Sequence, residues 1–321
     1  PREQLRIDDL KAQIDTEGFT VPREKLGSAA WELEPPGAAA LLDKVRNAGV
    51  PLAEFAKTKP LYGIKTGFND AFLIDNATKE KLIEIDPNCS EIIKPYLRGQ
   101  DVNRWQSDWA GLWMIVLKSS ENYDWAWADE GSDAEKIFRR TFPSLHAHMK
   151  CFQTQLTKRQ DQGRYWWELR SCAYYAEFSK PKITYQVIQF HPCYAFDTEG
   201  MFGNDKSFFL PCSDLYLLSI LNSPLMWWHN WRFLTHLKDE ALSPMAYMVE
   251  QMPIARATSE VRRAVEKAAA KLIAVTKDQR ATLRDLLDWL RIEHDVEKPT
   301  LKLQDAFSLS PDDFAAEVKK V

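Results

Sequence analysis

The chain has 321 residues and a mass of 37.1 kDa, which at about 100–200 residues per domain implies roughly two domains. With 45% hydrophobic and 27% charged residues and a mean hydropathy of −0.41, the composition is globular and excludes a disordered tail, a collagen-like rod or a disulfide scaffold. The 42 Lys+Arg against 46 Asp+Glu leave a net charge of −4, which argues against a simple basic nucleic-acid binder.

The chain opens Pro1-Arg2-Glu3-Gln4 with no initiator Met and no signal-peptide pattern, so a piece of something longer is expected. Residues 1–58 are polar and turn-rich, with Pro22, Gly27, Pro35, Pro36 and one helical pattern over 37–48, and read as a linker entering a domain. From Leu61 short strands begin: 61–65 and 71–74 flank Gly67-Phe68-Asn69, a hairpin signal. Helical patterns follow at 78–85 and 90–97. Strands are then expected at 113–117, 182–188, 194–196, 207–210 and 246–250, where Ile, Val and aromatic residues concentrate. Helices are expected at 132–140, 144–156, 213–221 and 225–233. Because strands and helices mix without βαβ repetition, the fold class is α+β: mixed short-strand sheets with interspersed helices, followed by a long C-terminal helical segment. In that segment Val261, Val265, Ala268, Leu272, Val275, Gln279, Thr282, Leu286 and Trp289 alternate at spacings of four and three, one seam of a heptad helix. Thr276-x-x-Gln279 is also a capping-box pattern, so one long helix and two consecutive helices both fit. A short last helix over 312–320 is capped at Ser310-Pro311.

Common catalytic signatures are missing. No two glycines stand two apart, so there is neither GxGxxG nor a P-loop, and no GxSxG elbow occurs. His146-x-His148 has no Cys or carboxylate cluster at ligand spacing, so no metal is expected and both rings read as solvated on a basic helix. Glu177-Phe178-Ser179-Lys180 matches half of a metal-dependent nuclease motif, for which a surface salt pair is the plainer reading. The five cysteines are odd in number with no CxxC, which favours free thiols in a reducing cytoplasm, and no apolar run is long enough to span a membrane.

Four stretches in order carry a resemblance: Tyr62-Gly63-Ile64-Lys65-Thr66-Gly67-Phe68-Asn69-Asp70-Ala71-Phe72; Ile92-Ile93-Lys94-Pro95-Tyr96-Leu97-Arg98-Gly99-Gln100-Asp101-Val102; Phe178-Ser179-Lys180-Pro181-Lys182-Ile183; and Tyr216-Leu217-Leu218-Ser219-Ile220-Leu221-Asn222-Ser223-Pro224. Together they resemble the TaqI-like C-terminal specificity domain, the target-recognition module of type IIG restriction-modification enzymes and related adenine DNA methyltransferases. Leu287-Asp288-Trp289-Leu290 and the stretch from Lys298-Pro299 to Val318 resemble the tail of those enzymes. The resemblance implies a preceding catalytic module that binds S-adenosyl-methionine and grips a flipped adenine with an Asn-Pro-Pro-aromatic motif. This chain lacks that motif, since Pro35-Pro36 stands between Glu34 and Gly37. The expected division is residues 1–58 as a linker from the methyltransferase module, 59–258 as a DNA target-recognition domain and 259–321 as a C-terminal helical region.

Site selection needs donors and acceptors for base edges and cations for phosphates. Gly63 and Gly67 bracket Lys65 and Thr66, so a hairpin tip with Asn69 is a candidate DNA contact, a purely structural turn being the alternative. Arg98, Gln100 and Arg104 lie on a polar loop suited to base or phosphate contact; the alternative is a helix end with Gly99 as left-handed cap. Residues 136–185 hold ten Lys/Arg against three carboxylates, with four glutamines between 153 and 162. Lys158, Arg159 and Arg164 are therefore expected to face the duplex, a solvated basic face being the alternative. The twelve tryptophans, Trp166-Trp167 included, read as core anchors, and Trp227, Trp228 and Trp231 are expected to pack inward or against the catalytic module.

The expected partners are double-stranded DNA and the methyltransferase module of the same protein, and no membrane. No cofactor is expected on this chain. No catalytic residue is assigned to it, although its parent is expected to be a site-specific adenine methyltransferase, with or without a nuclease. The competing reading is an assembly module of a methyltransferase-containing phage-defence complex, docking through the 261–289 seam.

Overall fold

The structure is a computed structural model that describes residues 9–28, 31 and 33–321. Among these, two four-stranded sheets carry the middle of the chain. The first has the order Leu61–Tyr62, Ser207–Leu210, Lys182–Gln186, Tyr194–Asp197, antiparallel throughout, with Tyr185 opposite both Tyr194 and Phe208. The second runs Leu73–Ile74, Trp113–Ile115, Ile93–Leu97, Phe202–Gly203, and its last pair is parallel. The fold is α+β, as expected, with short strands among many helices.

Strand alternation explains how the first sheet divides the interior. Successive side chains point to opposite faces, so Phe209 joins a core with Phe72, Trp127, Phe138 and Trp167. Its neighbours Phe208 and Leu210 join a second core with Tyr194, Leu218 and Ile254. With both faces covered, Ser207–Leu210 is buried along its whole length. Trp127 and Trp167 are core anchors, and Trp227 and Trp231 pack against the second core.

Four local expectations are corrected. Leu61–Tyr62 and Leu73–Ile74 do not form a hairpin, because they belong to different sheets and a short helix, Asn69–Phe72, separates them. Residues 90–97 are not a helix: Ile93–Leu97 is a strand between two partners, and Pro95 would break a helix interior. Residues 246–250 are not a strand; Ala246–Val249 is a helical turn, and the strand lies at Pro253–Ala255. The 144–156 helix is divided into Pro143–Lys150 and Gln153–Leu156. Part of the segment read as a linker is built into the fold, since Gly49–Pro51 pairs with Pro253–Ala255 and Leu52 is buried in the second core.

The C-terminal segment is one helix, Ser259–His294, 36 residues and about 54 Å long. The Thr258 side chain caps its start, and Asp295 ends it at φ 56°. Arg262 pairs with Asp214 at 2.6 Å and Arg280 with Asp108, tying the helix to the sheet domain at two levels. The expected seam does not face inward: Leu272, Val275 and Trp289 are about half exposed. Instead Ala269 and Leu290 are buried, and Ile273 and Leu287 pack beside them. The buried stripe keeps the spacing of the expected seam but falls one position away along its whole length, with the small Ala269 among its members. Pro311–Val318 closes the chain with Ser310 as N-cap. Among the described residues no helix is long and apolar enough to cross a membrane.

Candidate nucleic-acid interface

Residues 204–206 form the turn that carries the chain from one sheet to the other, between Phe202–Gly203 and Ser207–Leu210. Asn204 Oδ1 accepts the Lys206 N–H at 3.1 Å, and Ser207 N–H donates to the Asn204 carbonyl at 3.1 Å. Two loops press against this turn. Ile64 N–H donates to the Gly203 carbonyl at 2.7 Å, and a Cβ on Gly63 would stand 1.9 Å from the Asn204 oxygen. A Cβ on Gly99 would stand 2.6 Å from the Lys206 oxygen. Both glycines therefore serve close backbone approach; Gly63 makes room for the turn, and Gly99 opens a 3-10 turn rather than capping a helix.

The turn thus brings together two stretches that lie more than 30 residues apart in sequence. On one side Lys65 and Asn69 are exposed, while Thr66 is buried and its hydroxyl donates to Asn69 Oδ1 at 2.6 Å. On the other side Gln100 is exposed, and Arg98 places Nε and Nη2 on the Asp101 carboxylate at 2.9 and 2.7 Å. That hydrogen bonding raises the Arg98 pKa and neutralises its charge locally. Beneath them Tyr96 is pushed up to about 12 by burial, with Asp101 adding to the effect.

Two clefts flank Lys65. One, of about 380 Å³, is lined by Tyr62, Ile64, Lys65, Arg170, Tyr174 and Asp205. The other, of about 330 Å³, is lined by Lys65, Thr66, Asn69, Asp161, Asp205 and Lys206. Asp205 and Lys206 were missed in the sequence, and Arg170 was counted only among the ten cations of the 136–185 segment. The only local signal was Gly203-Asn204-Asp205-Lys206, a turn composition between two strand patterns.

The basic segment does not form one face. Arg159 is corrected outright: it is 7% exposed, and its guanidinium donates to the carbonyls of Thr66, Trp166 and Glu168. Burial lowers it to about 10. Next to it Glu168 is fully buried and accepts from Ser120 N–H at 3.0 Å, Trp127 Nε1 at 2.9 Å and Tyr165 N–H at 3.2 Å, so this loop is organised from within. Lys182 is buried against Asp197, and Lys150, Arg164, Arg170 and Lys180 each pair with a carboxylate. Lys158 is exposed. Arg164 reaches Asp129 and the Ala128 carbonyl, and Arg104 donates to the Asn222 carbonyl at 2.7 Å, so their contacts lie away from the 204–206 turn. The His pair is corrected as well, because His146 meets Glu135 at 3.1 Å and His148 the Ala71 carbonyl at 2.9 Å. Burial depresses His148. Among the described residues no three His, Cys, Asp or Glu side chains are grouped to hold a metal ion.

The family described as the TaqI-like C-terminal specificity domain matches residues 94–254, half of the chain. A domain of unknown function (DUF8810) matches residues 258–321, the region of the long helix. No curated protein matches. Among solved structures the chain is similar to the type IIL restriction-modification enzyme MmeI in complex with DNA, at 14% identity and a TM-score of 0.50 over 82% of this chain and 31% of that one. It is also similar to the type IIG restriction endonuclease BpuSI, at 9% identity and a TM-score of 0.44 over 73% of this chain and 28% of that one. The chain spans less than a third of the length of either enzyme. At these identities the likeness to MmeI is one of fold. The matched family region takes in all but the first residue of the Ile93–Leu97 strand, the loop after it, the 204–206 turn and both strands that the turn connects, and on that match the chain belongs to the TaqI-like C-terminal specificity domain family.

Proposed function

We propose that this chain is the DNA-recognition specificity module of a restriction-modification enzyme and that it meets duplex DNA with the surface around residues 204–206. The observation that carries the reading is the convergence of Lys65, Asn69, Gln100, Lys206 and Arg170 about that one turn, in a member of a specificity-domain family. Cations on a ridge between two clefts suit phosphates, and exposed amides suit base edges. Of the expected basic trio, only Lys158 is both exposed and without an ion pair among the described contacts, and it belongs to the same proposal.

The finer reading is a type IIG-like enzyme or adenine-N6 DNA methyltransferase whose catalytic module is separate from these residues. Family membership supports it. S-adenosyl-methionine would belong to that module. The comparisons lend no support to the assembly-module reading.

The test is duplex binding by the intact protein as a function of salt. K65A combined with K206A is expected to weaken binding to every sequence and to flatten the salt dependence by about one phosphate contact per lysine. Unchanged affinity and slope would remove this surface from the interface.

A further inference from the structure

We infer that Asp205 reads a base, accepting a hydrogen bond from the exocyclic amino group of an adenine or a cytosine in the major groove. The inference rests on the DNA-binding reading above and deepens it. Asp205 lines both clefts beside Lys65, and its side chain is 41% exposed.

The other carboxylates nearby have structural work. Asp101 holds the Arg98 fork, Asp161 pairs with Arg170 at 3.3 Å, and Glu168 is enclosed by its donors. Asp205 meets only its neighbour Lys206, at a loose 3.6 Å among the described contacts, and it caps no helix. A carboxylate on a phosphate-binding surface opposes affinity, because it repels every phosphate that approaches. What it offers in return is discrimination. An ionised carboxylate is an acceptor only, and in the major groove the donors are adenine N6 and cytosine N4, whereas guanine and thymine present acceptors there.

Asn69, which lines the same cleft, strengthens the assignment. Its Oδ1 is occupied by the Thr66 hydroxyl, which leaves its NH2 as the outward group. A donor and an acceptor thus share one cleft, flanked by Lys65 and Lys206 for the backbone.

The experiment selects from a library of short duplexes with a randomised centre, using the intact protein, its D205A and D205E variants and K65A, and sequences the bound fraction. Wild type is expected to require adenine or cytosine at one position. D205A, which removes the acceptor, is expected to relax that position by about tenfold or more while binding bulk duplex as tightly as wild type or more so. D205E keeps the acceptor and retains the amino-bearing base. K65A weakens all sequences alike. An unaltered preference in D205A overturns the inference and leaves the DNA-binding reading standing. Duplex binding by wild type without sequence preference overturns it too, and absence of any duplex binding overturns the reading beneath it.

Discussion

The guanidinium of Arg159 donates to the main-chain carbonyl of Thr66, 93 positions earlier in the chain and next to Lys65. The same group donates to Trp166 and Glu168, so one buried cation sets the spacing between the 63–69 loop and the 159–170 loop. Its role is to build the surface beside Lys65 from behind.

Removing it leaves several buried carbonyls without a donor, each costly to desolvate. R159A is expected to lower the unfolding free energy by about 2–3 kcal/mol. R159K is expected to rescue little, because an ammonium cannot reproduce the planar fork. The exposed K158A control should stay within about 0.5 kcal/mol of wild type. Urea unfolding measures all three, and a wild-type midpoint for R159A would contradict the packing described.

Gly63 and Gly37 give opposite expectations for the same substitution. At Gly63 a Cβ meets the Asn204 carbonyl, so G63A must move the 204–206 turn and is expected to cost about 1–3 kcal/mol. At Gly37, inside the Pro36–Ala48 helix, nothing lies within 4 Å of the added carbon, and G37A is expected to stabilise by about 0.5–1 kcal/mol. Thermal melts of the two variants should move in opposite directions.

Thiol reactivity should divide by burial. Burial pushes Cys89 and Cys193 up to about 12, whereas Cys151 is exposed. The thiolate is the reacting form, so iodoacetamide at neutral pH should modify Cys151 in the folded chain and reach Cys89 and Cys193 only after denaturation. Peptide mass spectrometry reads the order directly.

Glu135 links Lys150 and His146, at 2.6 and 3.1 Å. Burial by itself would raise its pKa, but the hydrogen bonds from Lys150 and His146 outweigh that, and the folded value lies below the ordinary 4.5. A carboxyl group lowered on folding stabilises the fold above its unfolded pKa, and the contribution is lost as pH falls through the folded value. The stability gap between wild type and E135Q should therefore be full near neutral pH and close in acid below the ordinary glutamate range, as followed by denaturant unfolding across pH.

Much of the architecture was legible in local pattern. The Ser207–Leu210 strand, the Asn76–Ile85 and Pro224–Phe233 helices and the Ser310 cap lie close to where periodicity and capping residues put them. Two of the misreadings share one cause. Ile93–Leu97 and Ala246–Val249 are short apolar stretches that fit either period, and neighbours from elsewhere in the chain decided between them.

The sequence by itself determined the family, through four ordered motifs, and the α+β mixture with its C-terminal helical segment, because these depend on residue types at short spacings. Only the tertiary structure decided which charges face outward. Within the basic 136–185 segment, Arg159 and Lys182 turn inward because Thr66 and Asp197 receive them, while the loops of Lys65 and Gln100 both pack on the 204–206 turn through the space that Gly63 and Gly99 leave open to Asn204 and Lys206. Burial of a cation is set by acceptors distant in sequence, and no local pattern encodes where those acceptors will stand.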